Sequence, residues 1–316
     1  MRRILERLPP WLRGRGGRMI ATALLVLPAV GFIAYRSYQN WDQLRASAWS
    51  FRPAYLGLTL LGYLLALGSV LWAWHRIVGT LTPLRRFGQN ARLYCLSNLP
   101  RHIPGSIWYM AGRSYLYSQV GVSPSLTMAG IALEVFLTTA AGLLTYLFSL
   151  PLAGALGTAP LRLGIALGLL ALALLVLQPP IFNRVLSFFL RRFGSQEPVR
   201  ITYRSLWPPL LAYIGAWIVG GLTLYSAILV VYNLPWQEIP AVIGIWAASG
   251  TVGLLASTFL VGLGVREVTL AVLLTTTLLL PEDRALVVAI LFWFLLTGGD
   301  LLTAGLSALL PWGRSS

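Results

Sequence analysis

The chain has 316 residues, of which 57% are hydrophobic and only 10% charged, and its mean hydropathy is +0.74. This composition is too apolar for a soluble domain and predicts an all-α polytopic membrane protein. In a soluble protein, the formal net charge of +15 would suggest nucleic acid as the partner. Here the arginines cluster between apolar runs, so the predicted partners are membrane lipids with anionic headgroups and no nucleic acid.

Few residues of this chain are suited to hold a metal ion. Cys95 is the single cysteine, and the two histidines, His75 and His102, each lie next to an arginine. A positive neighbour disfavours a metal cation at a histidine. The sequence therefore predicts neither a metal nor another cofactor, and it excludes an intrachain disulfide.

The chain begins with a basic segment, residues 1–18, that carries six arginines. Met19–Tyr35 follows as an apolar run of 17 residues, which is about the shortest length that crosses a bilayer. A cleavable signal peptide is the alternative, but the cleavage-like Ala46-Ser47-Ala48 lies too far beyond the apolar core. We expect a retained anchor helix that follows a cytoplasmic N-terminal segment.

Further apolar runs bring the predicted number of spans to eight, within one membrane-embedded domain at residues 19–310. They are Pro53–Val78, Ser125–Leu150, Leu161–Gln178, Leu206–Val231, Ile239–Leu260, Val268–Leu280 and Ala285–Leu309. With the N-terminus inside, the predicted cytoplasmic segments hold 17 arginines and the external segments hold five. The positive-inside rule then makes both termini cytoplasmic, including the tail at 311–316. The expected location is a bacterial-type plasma (inner) membrane.

Residues 87–117 fit neither a membrane span nor an ordinary loop. Polar, charged and proline residues alternate there with apolar ones. Non-helical backbone persists at membrane depth only where protein or water satisfies its amide groups. We therefore expect this segment to be re-entrant or interfacial, and to line a cavity.

Two glycine-containing stretches, residues 104–113 and 262–267, bring arginine into apolar sequence. A charged side chain at the bilayer centre costs about 2.5–3.5 kcal/mol on insertion scales, so it normally faces a partner or a wet cavity. A guanidinium group also suits the two parallel hydrogen bonds that a phosphate can accept. Both stretches are therefore candidate sites for a lipid headgroup.

Four charged side chains are predicted to form one polar centre: Arg113, Glu134, Arg266 and Glu267. The arginines would hold a lipid phosphate, and the carboxylates would balance the arginines in the empty site or accept a headgroup amine. The accompanying candidate substrate-binding residues are Pro104, Gly105, Trp108, Gly112 and Gly264. The alternative is that the four charges are internal ion pairs that fix helix packing.

The two halves of the chain resemble each other weakly. In each half, an arginine one or two residues after a glycine is followed by a proline that opens a helix, Pro124 or Pro281, and then by a lone acid within that helix, Glu134 or Asp300. Asp300 is expected either to pair with an arginine or to face water. Glycine-rich breaks that recur in both halves are typical of transporters with a substrate site near the midplane. The pattern is compatible with an inverted repeat, although the spacing from arginine to proline differs between the halves, at 11 and 15 residues.

These motifs resemble the lysylphosphatidylglycerol synthase transmembrane region family, which is also called flippase-like. The resemblance is carried by the segments Asn98–Trp108, Gly112-Arg113, Gly121-Val122, Glu134 and Gly262–Glu267. At Leu260-Val261 the chain departs from the family, which commonly has Pro-Gly there. In bifunctional relatives this region moves aminoacylated phosphatidylglycerol between leaflets, and a separate soluble domain attaches the amino acid. The resemblance therefore implies lipid translocation or an allied lipid-linked role, argues against aminoacyl transfer by this chain, and suggests a partner enzyme that makes the lipid.

Two other functions stay open on the sequence alone. A membrane-embedded transferase acting on lipid-linked groups would need an acid near the interface, and Asp42 is the only acid in the first external loop. An envelope scaffold would tolerate neutral replacement of the charged cluster. The sequence favours a transporter-like protein over an enzyme. Because no G-x-x-x-x-G-K-[ST] motif is present, transport would be passive, ion-coupled or driven by a partner.

Overall fold

The computed structural model describes residues 51–82, 84, 86–99, 107–153, 202–258 and 264–309, with a few isolated positions between 164 and 187. All regular secondary structure in these ranges is helical. The predicted anchor helix Met19–Tyr35, the terminal segments and nearly all of the predicted span Leu161–Gln178 lie outside the described residues.

Eight α-helices and one short 3-10 helix make up the regular structure of the described residues. The α-helices are α1 (Ala54–Leu81), α2 (Phe87–Asn98), α3 (Ile107–Ser118), α4 (Pro124–Leu152), α5 (Tyr203–Val231), α6 (Ile239–Thr258), α7 (Val265–Thr277) and α8 (Glu282–Leu309). The 3-10 helix Trp236–Glu238 joins α5 to α6. Ser123 caps the start of α4, because its hydroxyl accepts the Leu126 amide and Pro124 occupies the first turn.

Five of these helices, α1, α4, α5, α6 and α8, are long and apolar enough to cross a membrane. They hold 20 to 29 residues each. At 1.5 Å per residue this is about 30–44 Å, against a hydrocarbon core of about 30 Å. They coincide with the predicted spans at 53–78, 125–150, 206–231, 239–260 and 285–309. The chain is a helical integral membrane protein.

The predicted run Val268–Leu280 corresponds to α7, which is shifted by three residues and, like the run itself, has 13 residues, so it is not among the helices long enough to cross a membrane. It extends over about 20 Å, which is less than the thickness of the hydrocarbon core. The helix starts after Gly264, whose φ of 83° is a left-handed conformation that glycine adopts without a steric cost. The predicted total of eight spans is therefore not reproduced in the described residues, where five helices are long enough.

Helices α1 and α5 pack along each other in antiparallel directions. The Arg52 amide donates to the Val230 carbonyl at 2.9 Å where α1 begins and α5 ends. The hydroxyls of Thr59 and Ser226 form a hydrogen bond of 2.9 Å further along the same contact. We call the end of the bundle at Arg52 and Val230 face 1, and the opposite end face 2.

Two helical hairpins enter the bundle from opposite faces. Hairpin 1 consists of α2 and α3, which follow α1 at face 2; near its open end, the Tyr117 hydroxyl donates to Asn90 Oδ1 at 3.1 Å. Hairpin 2 consists of α6 and α7, which follow α5 at face 1. It ends on that face, where Arg284 at the start of α8 donates to the Val231 carbonyl. The order long helix, hairpin, long helix thus occurs twice.

Tryptophan rings pack between α5 and α6 where the facing residue is glycine. A Cβ added at Gly250 would lie 2.4 Å from the Trp217 ring, and one added at Gly220 would lie 2.2 Å from the Trp246 ring. The two indole rings are also neighbours, with centroids 5.8 Å apart. The rings therefore depend on these glycines for close packing, and they lie between the two buried apolar clusters of the core.

Candidate functional site

Arg113 of α3 lies in a closed network of hydrogen bonds within hairpin 1. Its Nε donates to Ser97 Oγ at 3.0 Å and its Nη2 donates to Asn98 Oδ1 at 2.8 Å. Its Nη1 forms an ion pair with Glu134 Oε2 of α4. The last turn of α2 and the middle of α4 therefore hold the guanidinium from two sides.

Aromatic rings cover the parts of the Arg113 guanidinium that these acceptors leave free. Its central carbon lies 4.2 Å from the ring centroid of Tyr94, 4.5 Å from that of Trp74 and 5.3 Å from that of Tyr109. Tyr94 also donates its hydroxyl to Glu134 Oε1 at 2.7 Å. Because the Arg113 side chain is only 1% exposed, a lipid phosphate has no access to it in this conformation.

Arg266 has a more open environment at the start of α7. Its Nε and Nη2 both donate to Glu267 Oε1, at 3.0 and 2.6 Å. The side chains of this ion pair are 29% and 15% exposed, respectively. The Arg266 guanidinium lies 5.7 Å from the Trp246 ring centroid. Its Cβ packs against Gly253 of α6, where an added Cβ would come within 2.7 Å.

The start of α7 adds an electrostatic contribution to the Arg266 site. The first amides of a helix lack helical partners and carry partial positive charge, so they attract anions. Gly264 allows the chain to turn into this helix, and its carbonyl accepts the Val268 amide at 2.9 Å. The site therefore combines a guanidinium, the first amides of a helix and one carboxylate.

The four predicted charges form two separate ion pairs, which corrects the prediction of a single polar centre. Among the described residues, no hydrogen bond or ion pair links Arg113 and Glu134 to Arg266 and Glu267. Tryptophan lies between the pairs: Trp217 donates to the Thr138 carbonyl, about one turn from Glu134, and it contacts Trp246. Each arginine instead has its own carboxylate as partner.

The remaining predicted site residues differ in how they are placed. Gly112 lies inside α3, in regular helix, and the backbone of Trp108 belongs to the first turn of that helix. Pro104, Gly105 and the side chain of Trp108 lie outside the described residues. Of the predicted glycine breaks, the structure thus shows the left-handed turn at Gly264.

A second polar cluster involves Asp300 of α8 and was not predicted with its partners. The Tyr63 hydroxyl of α1 donates to Asp300 Oδ1 at 2.6 Å. These two residues are 237 positions apart in the chain, so no local sequence signal connects them. The ring of Tyr63 packs over Gly299, where an added Cβ would lie 2.5 Å away.

The fold and these sites define an integral membrane protein with one buried and one partly exposed ion pair among its helices. A scan of protein-family models finds no match to the chain, and a search of curated proteins finds no match either. The resemblance based on the sequence motifs therefore stays a prediction.

Proposed function

We propose that this protein is a flippase- or scramblase-like transporter that moves an anionic or aminoacylated phospholipid, or a lipid-linked precursor, between leaflets. The observation that supports this most is the partly exposed ion pair of Arg266 and Glu267, which lies at a helix start within apolar sequence. A charged pair in such a position normally faces a partner or a wet cavity.

The hydrogen bonds of this pair leave donors and acceptors for a headgroup. Both bonds from Arg266 end on Glu267 Oε1, so among the described residues Arg266 Nη1 and Glu267 Oε2 have no hydrogen-bond partner. A lipid phosphate would accept from Nη1 and from the first amides of α7. An amine on the same headgroup would donate to Oε2. Arg113, by contrast, would fix hairpin 1 against α4 and would not touch the lipid.

The arrangement of the hairpins supports the proposal. We infer that α1–α4 and α5–α8 are inverted repeats, because α1 and α5 are antiparallel and the hairpins enter from opposite faces. Inverted repeats with broken helices near the midplane are typical of transporters that alternate access between two sides. Among the described arginines, Arg76, Arg86, Arg92 and Arg204 lie toward face 2, and we infer from the positive-inside rule that face 2 is cytoplasmic.

The test is lipid movement in proteoliposomes that contain labelled phosphatidylglycerol. Replacing Arg266 by Gln removes a charge-assisted hydrogen bond to phosphate, worth about 1.5–3 kcal/mol, so we expect the rate to fall by about 10- to 100-fold. Arg76→Gln is the matched control, because Arg76 also lies over an indole ring, that of Trp72, at 5.6 Å, but on the outer surface of α1.

Two results would contradict the proposed function. The first is a wild-type protein that does not accelerate lipid movement over empty vesicles. The second is an equal rate in the Arg266→Gln variant, the Arg76→Gln variant and the wild type. Gly253→Ala provides a further variant without a change in charge: its new Cβ would displace Arg266, so we expect it to slow lipid movement as well.

A further inference from the structure

The side chain of Arg266 extends along α6 from Gly253 toward Trp246. Its Cβ packs on Gly253, where an added Cβ would come within 2.7 Å, and its guanidinium carbon lies 5.7 Å from the centroid of the Trp246 ring. Trp246 and Gly253 are seven residues apart, about two helical turns, so they lie on one face of α6. The guanidinium therefore lies between the levels of these two residues along the helix.

This direction places the Arg266 guanidinium near the middle of the membrane. Helix α6 begins at Ile239 on face 1, so at 1.5 Å per residue Trp246 and Gly253 are about 10 and 21 Å along it. The middle of a hydrocarbon core of about 30 Å lies between these two levels. An arginine whose backbone is nearer to one interface normally extends its head to that interface, which here is face 2. The Arg266 side chain points the opposite way, which requires a contact that holds it.

The Trp246 ring is fixed by residues of two neighbouring helices. Phe292 of α8 packs edge-on against it, with ring centroids 5.1 Å apart and ring planes at 84°. Trp217 of α5 is a second aromatic neighbour, with centroids 5.8 Å apart. Gly220 of α5 faces the indole nitrogen, where an added Cβ would lie 2.2 Å away. A ring packed in this way has little room to move, so it gives the guanidinium a fixed aromatic surface.

We propose that Trp246 is a positioning residue, which holds the Arg266 guanidinium toward the membrane centre by a cation–π interaction. A guanidinium within about 6 Å of an indole centroid is attracted by the negative face of the ring. The ion pair with Glu267 does not give this direction by itself, because both residues belong to the first turn of α7 and can turn to face 2 together. Trp246 belongs to α6 and fixes the guanidinium relative to a different helix. The consequence for lipid, that Arg266 Nη1 stays turned to a headgroup, rests on the proposed function.

The first test does not depend on lipid movement and follows chemical modification of Arg266 in the full-length protein, in nanodiscs that expose both faces. p-Hydroxyphenylglyoxal is a water-soluble reagent that forms a cyclic adduct with guanidinium groups, and peptide mass spectrometry gives the rate at each arginine. We expect Trp246→Leu to raise the rate at Arg266 by about 5- to 30-fold, because the guanidinium loses the ring and turns to water at face 2. Trp246→Phe keeps a weaker aromatic face and should raise the rate by less. Arg76, which is exposed, gives the reference rate in each sample.

Trp217→Leu is the matched control. It removes an indole ring from the same stack, one that also packs against a glycine, Gly250. In the part of the chain that the structure describes, the guanidinium of Arg266 lies over Trp246 and not over Trp217. We therefore expect Arg266 to react at close to the wild-type rate in this control. The proposal is overturned by an unchanged rate in both Trp246 variants, or by an equal increase in Trp217→Leu, which would show loosened packing alone.

Lipid movement gives a second readout, which separates this inference from the proposed function. In proteoliposomes, Trp246→Leu should slow lipid movement by about 5- to 30-fold, but it should slow the Arg266→Gln variant no further, because Trp246 acts through Arg266. Additive losses in the double variant would overturn the positioning role. If the wild type moves no lipid but the modification of Arg266 changes as expected, the proposed function fails and the positioning role stands. If lipid moves but the rate of modification is the same in all variants, the reverse holds.

Discussion

The buried pair of Arg113 and Glu134 gives the sharpest prediction about stability. Replacing either residue by Met should lower the free energy of unfolding by about 3–5 kcal/mol, because the remaining charge is left buried without its counter-ion. Replacing both should cost no more than one single substitution, since no unpaired charge remains. The polar groups of Ser97, Asn98 and Tyr94 would still lose their charged partners, at about 1–3 kcal/mol for each buried one.

These free energies can be measured by titrating SDS into mixed micelles and following helix content by circular dichroism. The two single substitutions should add up to about 6–10 kcal/mol, while the double variant loses about 3–5 kcal/mol, which is a coupling of at least about 3 kcal/mol. The exposed Arg76→Met is the control and should lie within about 0.5 kcal/mol of the wild type. Strictly additive losses, or single variants as stable as the wild type, would refute a closed ion pair.

Two further comparisons use the same titration. A Cβ at Gly221 would lie 2.6 Å from the backbone of Ile243, so Gly221→Ala should destabilise the protein by about 1–3 kcal/mol, whereas Gly68→Ala, with open space around it, should be neutral or stabilising. Tyr94→Phe removes a donor to a buried carboxylate and should cost about 1.5–3 kcal/mol. Tyr213→Phe should cost nothing, since that buried hydroxyl has no hydrogen-bond partner among the described residues. Equal effects within either pair would contradict these contacts.

The long helices were predictable because each is an apolar run bounded by charged, proline or glycine residues. The predicted start of α4 at Ser125, for example, lies one residue from the observed start at Pro124. The stretch at 268–280 misled the prediction, because its apolar composition suggests a span although 13 residues of helix cover only about 20 Å. Hydropathy records composition, whereas the position of this helix depends on the turns at Gly264 and Leu279.

The site was predictable in its residue types and not in its pairings. Arg113, Glu134, Arg266 and Glu267 stand out because charge is rare in apolar sequence. Whether an arginine side chain is buried or exposed depends on residues from other helices, such as Trp74. No local sequence pattern marks those residues. The pairing of Arg266 with Glu267 also had no local signal, because adjacent side chains on a helix do not normally face each other.

Lipid binding by the Arg266 site tests the central claim most directly. Native mass spectrometry of detergent-extracted protein would count retained phospholipids in the wild type and in the Arg266→Gln and Arg76→Gln variants. We predict that the wild type and Arg76→Gln retain an anionic phospholipid and that Arg266→Gln loses it. Equal retention in all three proteins would contradict the assignment of Arg266 as the group that holds the headgroup.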